Sequence, residues 1–148
     1  MSSPNLIGEY GHFAGTHIKV KYISKSEFTG LKLKYSRQAK YRCKSSDSCL
    51  VVIKSHGDLL DSKYDLKLCD ELVPIAQYAI DNVDSFDDQW KRQEDQDILI
   101  LDWSLEDILD RDNLISKDEV PLGWEHGFSK GITLNEKNQT INYWLIIW

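Results

Sequence analysis

The sequence predicts an α+β domain, a mainly antiparallel sheet of about five or six strands with one long helix packed on it. Three observations carry that expectation. Apolar and polar residues alternate in two early segments, the period of a half-buried strand. Apolar residues between Ile75 and Trp90 recur at helical spacing. The chain closes on Tyr143-Trp144-Leu145-Ile146-Ile147-Trp148, a run apolar on both faces that belongs in the middle of a covered sheet. With 148 residues, 41% hydrophobic and 28% charged, the chain is large enough to bury a core and too apolar for disorder. No linker or internal repeat divides it, so residues 1–148 are expected to form a single domain.

Residues 1–15 read as an irregular lead-in containing Gly8, Gly11 and Gly15. In 17–23, Ile18, Val20 and Tyr22 share one face and Lys19 and Lys21 the other. The same period in Leu31-Lys32-Leu33-Lys34-Tyr35 completes an antiparallel hairpin. Cys49–Ile53 is a third strand that stops at the turn 55–58. The long helix follows, starting near Asp70–Leu72 with Asp70 as N-cap, because Pro74 is tolerated only in a first turn. It buries Ile75, Ala76, Ala79, Ile80, Val83, Phe86 and Trp90, with Gln77, Asp81, Asp84 and Asp88 on the wet face. Asp97–Leu101 is a buried strand, Ser104 with Asp107 opens a short helix through Leu109, and 111–128 is a loop. Residues 131–134 and 140–148 form a closing hairpin around Asn135-Glu136-Lys137-Asn138. One helix covers one side of such a sheet, so Trp144 and Trp148 are expected to leave an apolar contact patch.

Charge is distributed unevenly. Residues 1–56 hold ten Lys/Arg against three Asp/Glu, and residues 57–148 hold eight against twenty-one. Nineteen of the 24 carboxylates lie between Asp58 and Glu119. Such a split points to a charged partner as well as to pairing between the halves. The lysines of the expected hairpin, Lys19, Lys21, Lys32 and Lys34, with Arg37, Lys40, Arg42 and Lys44 following, suggest a nucleic-acid face. Alternation turns Tyr22 and Tyr35 away from those lysines, and the pI near 5.2 is acidic, so direct nucleic-acid binding is not expected. The acidic end of the long helix is the stronger candidate. Asp81, Asp84, Asp87, Asp88, Glu94 and Asp95, with Trp90 as an aromatic anchor, form a surface suited to a basic protein such as a toxin or nuclease.

Chemical motifs are sparse. Cys43, Cys49, His56 and Cys69 lack the paired spacing of a zinc site, so no metal and no cofactor is expected. Three cysteines, an odd number, and the absence of a basic start or apolar stretch in 1–5 suggest free thiols, no signal peptide and a cytoplasmic location. No apolar run spans a membrane. Neither a Gly-x-Ser-x-Gly elbow nor a phosphate-binding glycine loop is present. Among His12, His17, His56 and His126, a two-histidine phosphodiester-acting enzyme using His17, His56 or His126 is the alternative to a binding protein.

The loop Gly123-Trp124-Glu125-His126-Gly127, following the acidic segment, resembles a loop of small bacterial toxin-immunity domains. The resemblance covers residues 70–148. The basic N-terminal segment has no counterpart in it. It implies a mixed α/β cytoplasmic inhibitor, an antitoxin that neutralises a cognate toxin without catalytic residues. A phage-type inhibitor of a host nucleic-acid-binding defence protein has the same physics. In the loop itself His126 is expected to bond backbone and Gly127 to supply a positive φ.

Overall fold

A computed structural model describes residues 5–7, 14–47, 49–53, 60–61, 69–79, 96–108 and 123–148. Its elements are β1 (Asn5–Ile7), β2 (Ala14–Val20), α1 (Lys25–Gln38), β3 (Tyr41–Lys44), β4 (Leu50–Ile53), β5 (Leu60–Asp61), β6 (Val73–Ala76), a 3-10 turn (Gln77–Ala79), β7 (Asp97–Ser104), β8 (Phe128–Asn135) and β9 (Thr140–Ile147). Six strands form one antiparallel sheet in the order β1-β2-β9-β8-β7-β3. A smaller sheet, β5-β4-β6, pairs β4 antiparallel to β5 and parallel to β6. The fold is α+β and mostly antiparallel, as the alternation predicts.

Both faces of the large sheet carry buried residues. On one, Ile98, Ile100, Trp144 and Ile146 pack against Leu50–Ile53 and Val73–Ala76 of the small sheet. On the other, Leu99, Ile132, Leu134 and Ile141 pack against Ile23 and Phe28, with Leu31 and Tyr35 at the margin. Phe28, Leu31 and Tyr35 are three and four residues apart, one stripe of α1. The expected second strand, Leu31–Tyr35, therefore lies inside a helix. Its alternation satisfies a helix equally well, since residues 31 and 35 share a face while Leu33 points to solvent at 55% exposure. Ser24 caps the helix by accepting from the Glu27 N–H at 3.2 Å. Tyr22, expected on the buried face of β2, instead takes a positive φ of 61° and is 95% exposed, turning the chain into α1.

The long helix starting at 70–72 is also corrected. Val73-Pro74-Ile75-Ala76 is a strand buried throughout, and Gln77–Ala79 is a single 3-10 turn. A strand buried on both faces reads as a continuous apolar run, which over four residues cannot be told from a helix. Pro74 is tolerated because β6 is the edge of the small sheet. The remainder of the expected helix, 80–90, lies outside the described residues. So does Leu109, the end of the short helix expected from Ser104; that serine instead closes β7 and its hydroxyl accepts from the Glu106 N–H. The lead-in contains a strand, β1, paired with β2.

Cys49 and Cys69 are joined in a disulfide, with Cα atoms 5.6 Å apart, and Cys43 takes no part in a disulfide. The expectation of free thiols is overturned for this pair, and with it the cysteine argument for a reducing compartment. The bond sits where β4 and β6 begin, beside the Val73 N–H donating to the Cys49 carbonyl at 3.0 Å. Among the described residues no helix is long and apolar enough to cross a membrane.

A cross-link spanning 20 residues removes chain entropy from the unfolded state. Replacing both Cys49 and Cys69 by Ala is expected to lower the unfolding free energy by about 3 kcal/mol. Urea titration of the oxidised protein and the double variant measures the difference, and an unchanged midpoint would show that the β4–β6 pairing holds without the bond.

Candidate functional site

Asp81, Asp84, Asp87, Asp88, Trp90, Glu94 and Asp95 all fall within 80–95, outside the described residues. The two ends of this sixteen-residue connection are described, and both are clamped to the sheet. At the first, Ala79 is fully buried and Tyr78 stacks on His17 of β2 with ring centroids 4.9 Å apart. The Tyr78 hydroxyl donates to the Leu145 carbonyl, and Asn142 Nδ2 donates to the Tyr78 carbonyl at 2.7 Å. Burial pushes the Tyr78 phenol far above its ordinary pKa, so it stays a neutral donor. At the second end, the buried Gln96 donates its N–H to Ser45 Oγ at 2.9 Å and its carbonyl accepts from the Ser45 N–H at 2.8 Å.

The basic residues of the first half find counter-charges on β7 and at the β8–β9 turn. Lys32 and Lys44 approach Asp97 at 3.0 and 2.6 Å, Lys32 lies 3.9 Å from Glu136, and Lys40 is 2.5 Å from Asp102. Arg42 Nε donates to the Ser36 carbonyl at 2.7 Å. The lysine-lined hairpin is thus replaced by a helix and an edge strand whose cations are partly neutralised within the fold. Burial opposes ionisation of Asp97, but hydrogen bonds and charge from Lys44 and Lys32 outweigh it and hold the carboxyl below its usual range.

At Leu101 the register of β7 against β8 shifts, Ile100 pairing with Gly131 and Asp102 with Lys130. The extra residue is a β-bulge, which re-aims the side chains after it. Leu101 and Asp102 consequently share the α1 side of the sheet, while Trp103 turns to the opposite side and packs with the core there. On the α1 side a cavity of about 310 Å³ opens beside the helix. Its floor is Ile18, Leu101, Ile132 and Leu145, its wall is Tyr35 and Tyr143, and Lys130 lines it from β8. The two tyrosine rings meet edge-on at 5.8 Å. Burial, with a hydrogen bond to the Tyr35 hydroxyl added, pushes the Tyr143 phenol up to about 12. Neither bulge nor cavity has a sequence signal, since each depends on cross-strand register.

The Gly123–Gly127 loop belongs to an aromatic stack. Trp124 lies 6.2 Å from Trp103 and 6.1 Å from Trp148, ring centroid to centroid. Trp148 Nε1 donates to the Trp124 carbonyl at 2.9 Å, and Trp148 and Gly127 exchange both backbone bonds. Trp144 and Trp148 are 3% and 1% exposed, so the expected apolar patch at the C-terminal tryptophans is instead core. The positive φ is at Gly123 (85°) rather than Gly127. Gly127 is required for space, because a Cβ there would lie 2.5 Å from the Trp148 ring. His126 faces Asp107, Nε2 to Oδ2 3.7 Å, rather than backbone, and its Nδ1 is buried without a hydrogen-bond partner.

The two described candidate histidines, His17 and His126, have different partners. His17 stacks on Tyr78, His126 meets Asp107, and His12 and His56 lie outside the described residues. No group of three or more metal-ligating side chains occurs among the described residues. No family model, curated protein or solved structure matches the chain.

Because the folded pKa of Asp97 is depressed, its ion cluster stabilises the protein above the unfolded value near ~4 and loses that contribution as pH falls through the folded value. Asp97→Asn is expected to cost about 1 kcal/mol at neutral pH, a figure kept small because both lysines are substantially exposed. Urea titrations at successively lower pH should show the two proteins converging in the acid range. A gap independent of pH would assign the effect to packing.

Proposed function

We propose that the chain is a non-enzymatic binding protein that docks on a basic protein through segment 80–95, an inhibitor of the toxin-immunity kind. One observation carries this. Sixteen residues with six carboxylates against Lys91 and Arg92 join two ends that are buried and hydrogen-bonded to the sheet. A connection so anchored places charge on a rigid base, the usual arrangement of recognition loops. Lys32, Lys40 and Lys44 of the basic half pair with Asp97, Asp102 and Glu136, acids outside this segment. Trp90 supplies the apolar anchor that interfaces of this kind place among charges. Nucleases and other proteins with phosphate-binding grooves are the natural targets, carboxylates standing where phosphates would lie.

The expected cytoplasmic location conflicts with the Cys49–Cys69 bond, since disulfides persist mainly in oxidising compartments. Thiol labelling of the protein isolated from its native cell without reductant decides the compartment.

The inhibitor is expected to capture one basic protein from a native lysate at low salt and to release it as salt is raised. Changing Asp84, Asp87 and Asp88 together to Lys should weaken that capture by at least about a hundredfold, with the circular dichroism spectrum unchanged. A triple variant that binds as well as the parent would exclude the acidic segment as the contact.

A further inference from the structure

The residues that line the cavity beside α1 all lie outside segment 80–95 in the sequence. A helix is roughly 10 Å across and strands are spaced about 4.8 Å apart, so one helix covers two or three strands of a sheet. Helix α1 covers the sheet around Leu99, Ile132, Leu134 and Ile141. Beyond it Ile18 is 40% exposed and lines the cavity with Leu101 and Leu145.

We propose that this cavity is a binding site for a small amphipathic organic anion, an apolar body with a single carboxylate head, of the medium-chain fatty acid class. Its volume of about 310 Å³ lies at the lower end of the range of small-molecule sites. Its lining is almost wholly apolar, and Lys130, Thr16, Tyr35 and Tyr143 are the lining residues whose side chains carry a polar group.

The sign of the head group follows from the charges around the cavity. Lys130 has no ion pair among the described residues. Its cross-strand neighbour Asp102 is engaged by Lys40 at 2.5 Å and accepts the Trp103 N–H at 3.0 Å. Both contacts fall on Oδ1, and the Lys40 hydrogen bond with the charges of Lys40 and Lys130 holds the Asp102 carboxyl below its usual range. The exposed Lys130 forms no salt bridge with it and can still turn to a ligand. Lys34 adds positive charge on the helix side, its Nζ 5.2 Å from the centre of the Tyr35 ring. The tyrosine pair adds a donor. When one hydroxyl donates to the other, the acceptor keeps its own proton, and burial keeps the Tyr143 phenol neutral at physiological pH. An ammonium and a phenolic donor around an apolar trough suit a carboxylate with a hydrocarbon tail, and suit a cation poorly.

Calorimetric titration of the oxidised full chain with decanoate, below its aggregation concentration, tests the proposal. One-to-one saturable binding is expected, with the uncharged decanol at least roughly tenfold weaker, as loss of a charged hydrogen bond implies. Lys130→Met should weaken decanoate by a similar factor and leave decanol unchanged. Ile18→Glu, at a position open enough not to disturb folding, should weaken both ligands. The absence of saturable binding, equal affinity for decanol, or an unaltered decanoate affinity in Lys130→Met would overturn the assignment. Self-association of the chain that Ile18→Glu abolishes, without decanoate binding, would overturn it in favour of a second copy as occupant. The Asp84/Asp87/Asp88 charge-reversal variant should bind decanoate as the parent does, which separates this site from the acidic segment.

Discussion

Strand β9 buries side chains on both faces, and the rest of the fold is arranged around that requirement. Its Trp144 and Ile146 enter the core shared with the small sheet, while Ile141 enters the core under α1. A strand that is apolar on both sides needs a backbone neighbour on each edge and a layer against each face. Strands β2 and β8 supply the first, and the small sheet and α1 the second. Register is strongly specified, because a slip by one residue would exchange the Trp144 face for the Tyr143 face. Two details hold it. Trp144 Nε1 donates to Thr133 Oγ1 at 3.1 Å, and Gly131 opposite leaves room for the indole, since a Cβ there would lie 2.6 Å from it.

The same requirement explains which parts of the fold were legible in the sequence. Strands β2, β4, β7, β8 and β9 are readable because each holds a β-branched or alternating run, and β4, β8 and β9 are also bounded by a turn signal. The Leu31–Tyr35 segment was misread because five residues hold too little periodicity to separate a strand from two turns of helix. Ser24 and Glu27, three residues apart, are a capping signature that marks the helix start. Val73–Ala76 was misread for the opposite reason. Its apolar density comes from burial between two layers, and Pro74 fits a first helical turn and an edge strand equally well. The disulfide could not be read at all, since an odd cysteine count carries no pairing and the contact depends on β4 and β6 running in parallel.

Among the described residues the two oppositely charged halves of the sequence meet through ion pairs. Asp97 and Asp102 on β7 lie opposite Lys32, Lys44 and Lys40 from α1 and the β3 region, so the two halves meet along one side of the sheet. Each of these pairs is partly solvated and contributes modestly to stability. Their larger effect is positional. They hold α1 and β3 against β7, the strand that begins directly after the acidic segment, and the Ser45–Gln96 exchange adds two hydrogen bonds at that junction. The first half of the chain thereby anchors one end of the connection that carries six of the second half's twenty-one carboxylates.

A single helix on a six-stranded sheet cannot bury the whole of one face, and the way the exposed part is treated is informative. A sheet face with no role is ordinarily polar, alternating with a buried one. Here the part next to α1 keeps Ile18, Leu101 and Leu145 at the floor, and the bulge at Leu101 adds an apolar residue to it. The bulge also sets Asp102 on the α1 side, where Lys40 engages it and Lys130 adds its charge across the strand pair. Core packing requires Trp103 on the opposite side, where it joins Trp124 and Trp148, and a regular strand would have placed it on the helix side instead. One inserted residue therefore completes the aromatic core and shapes the cavity, so selection on either would preserve both.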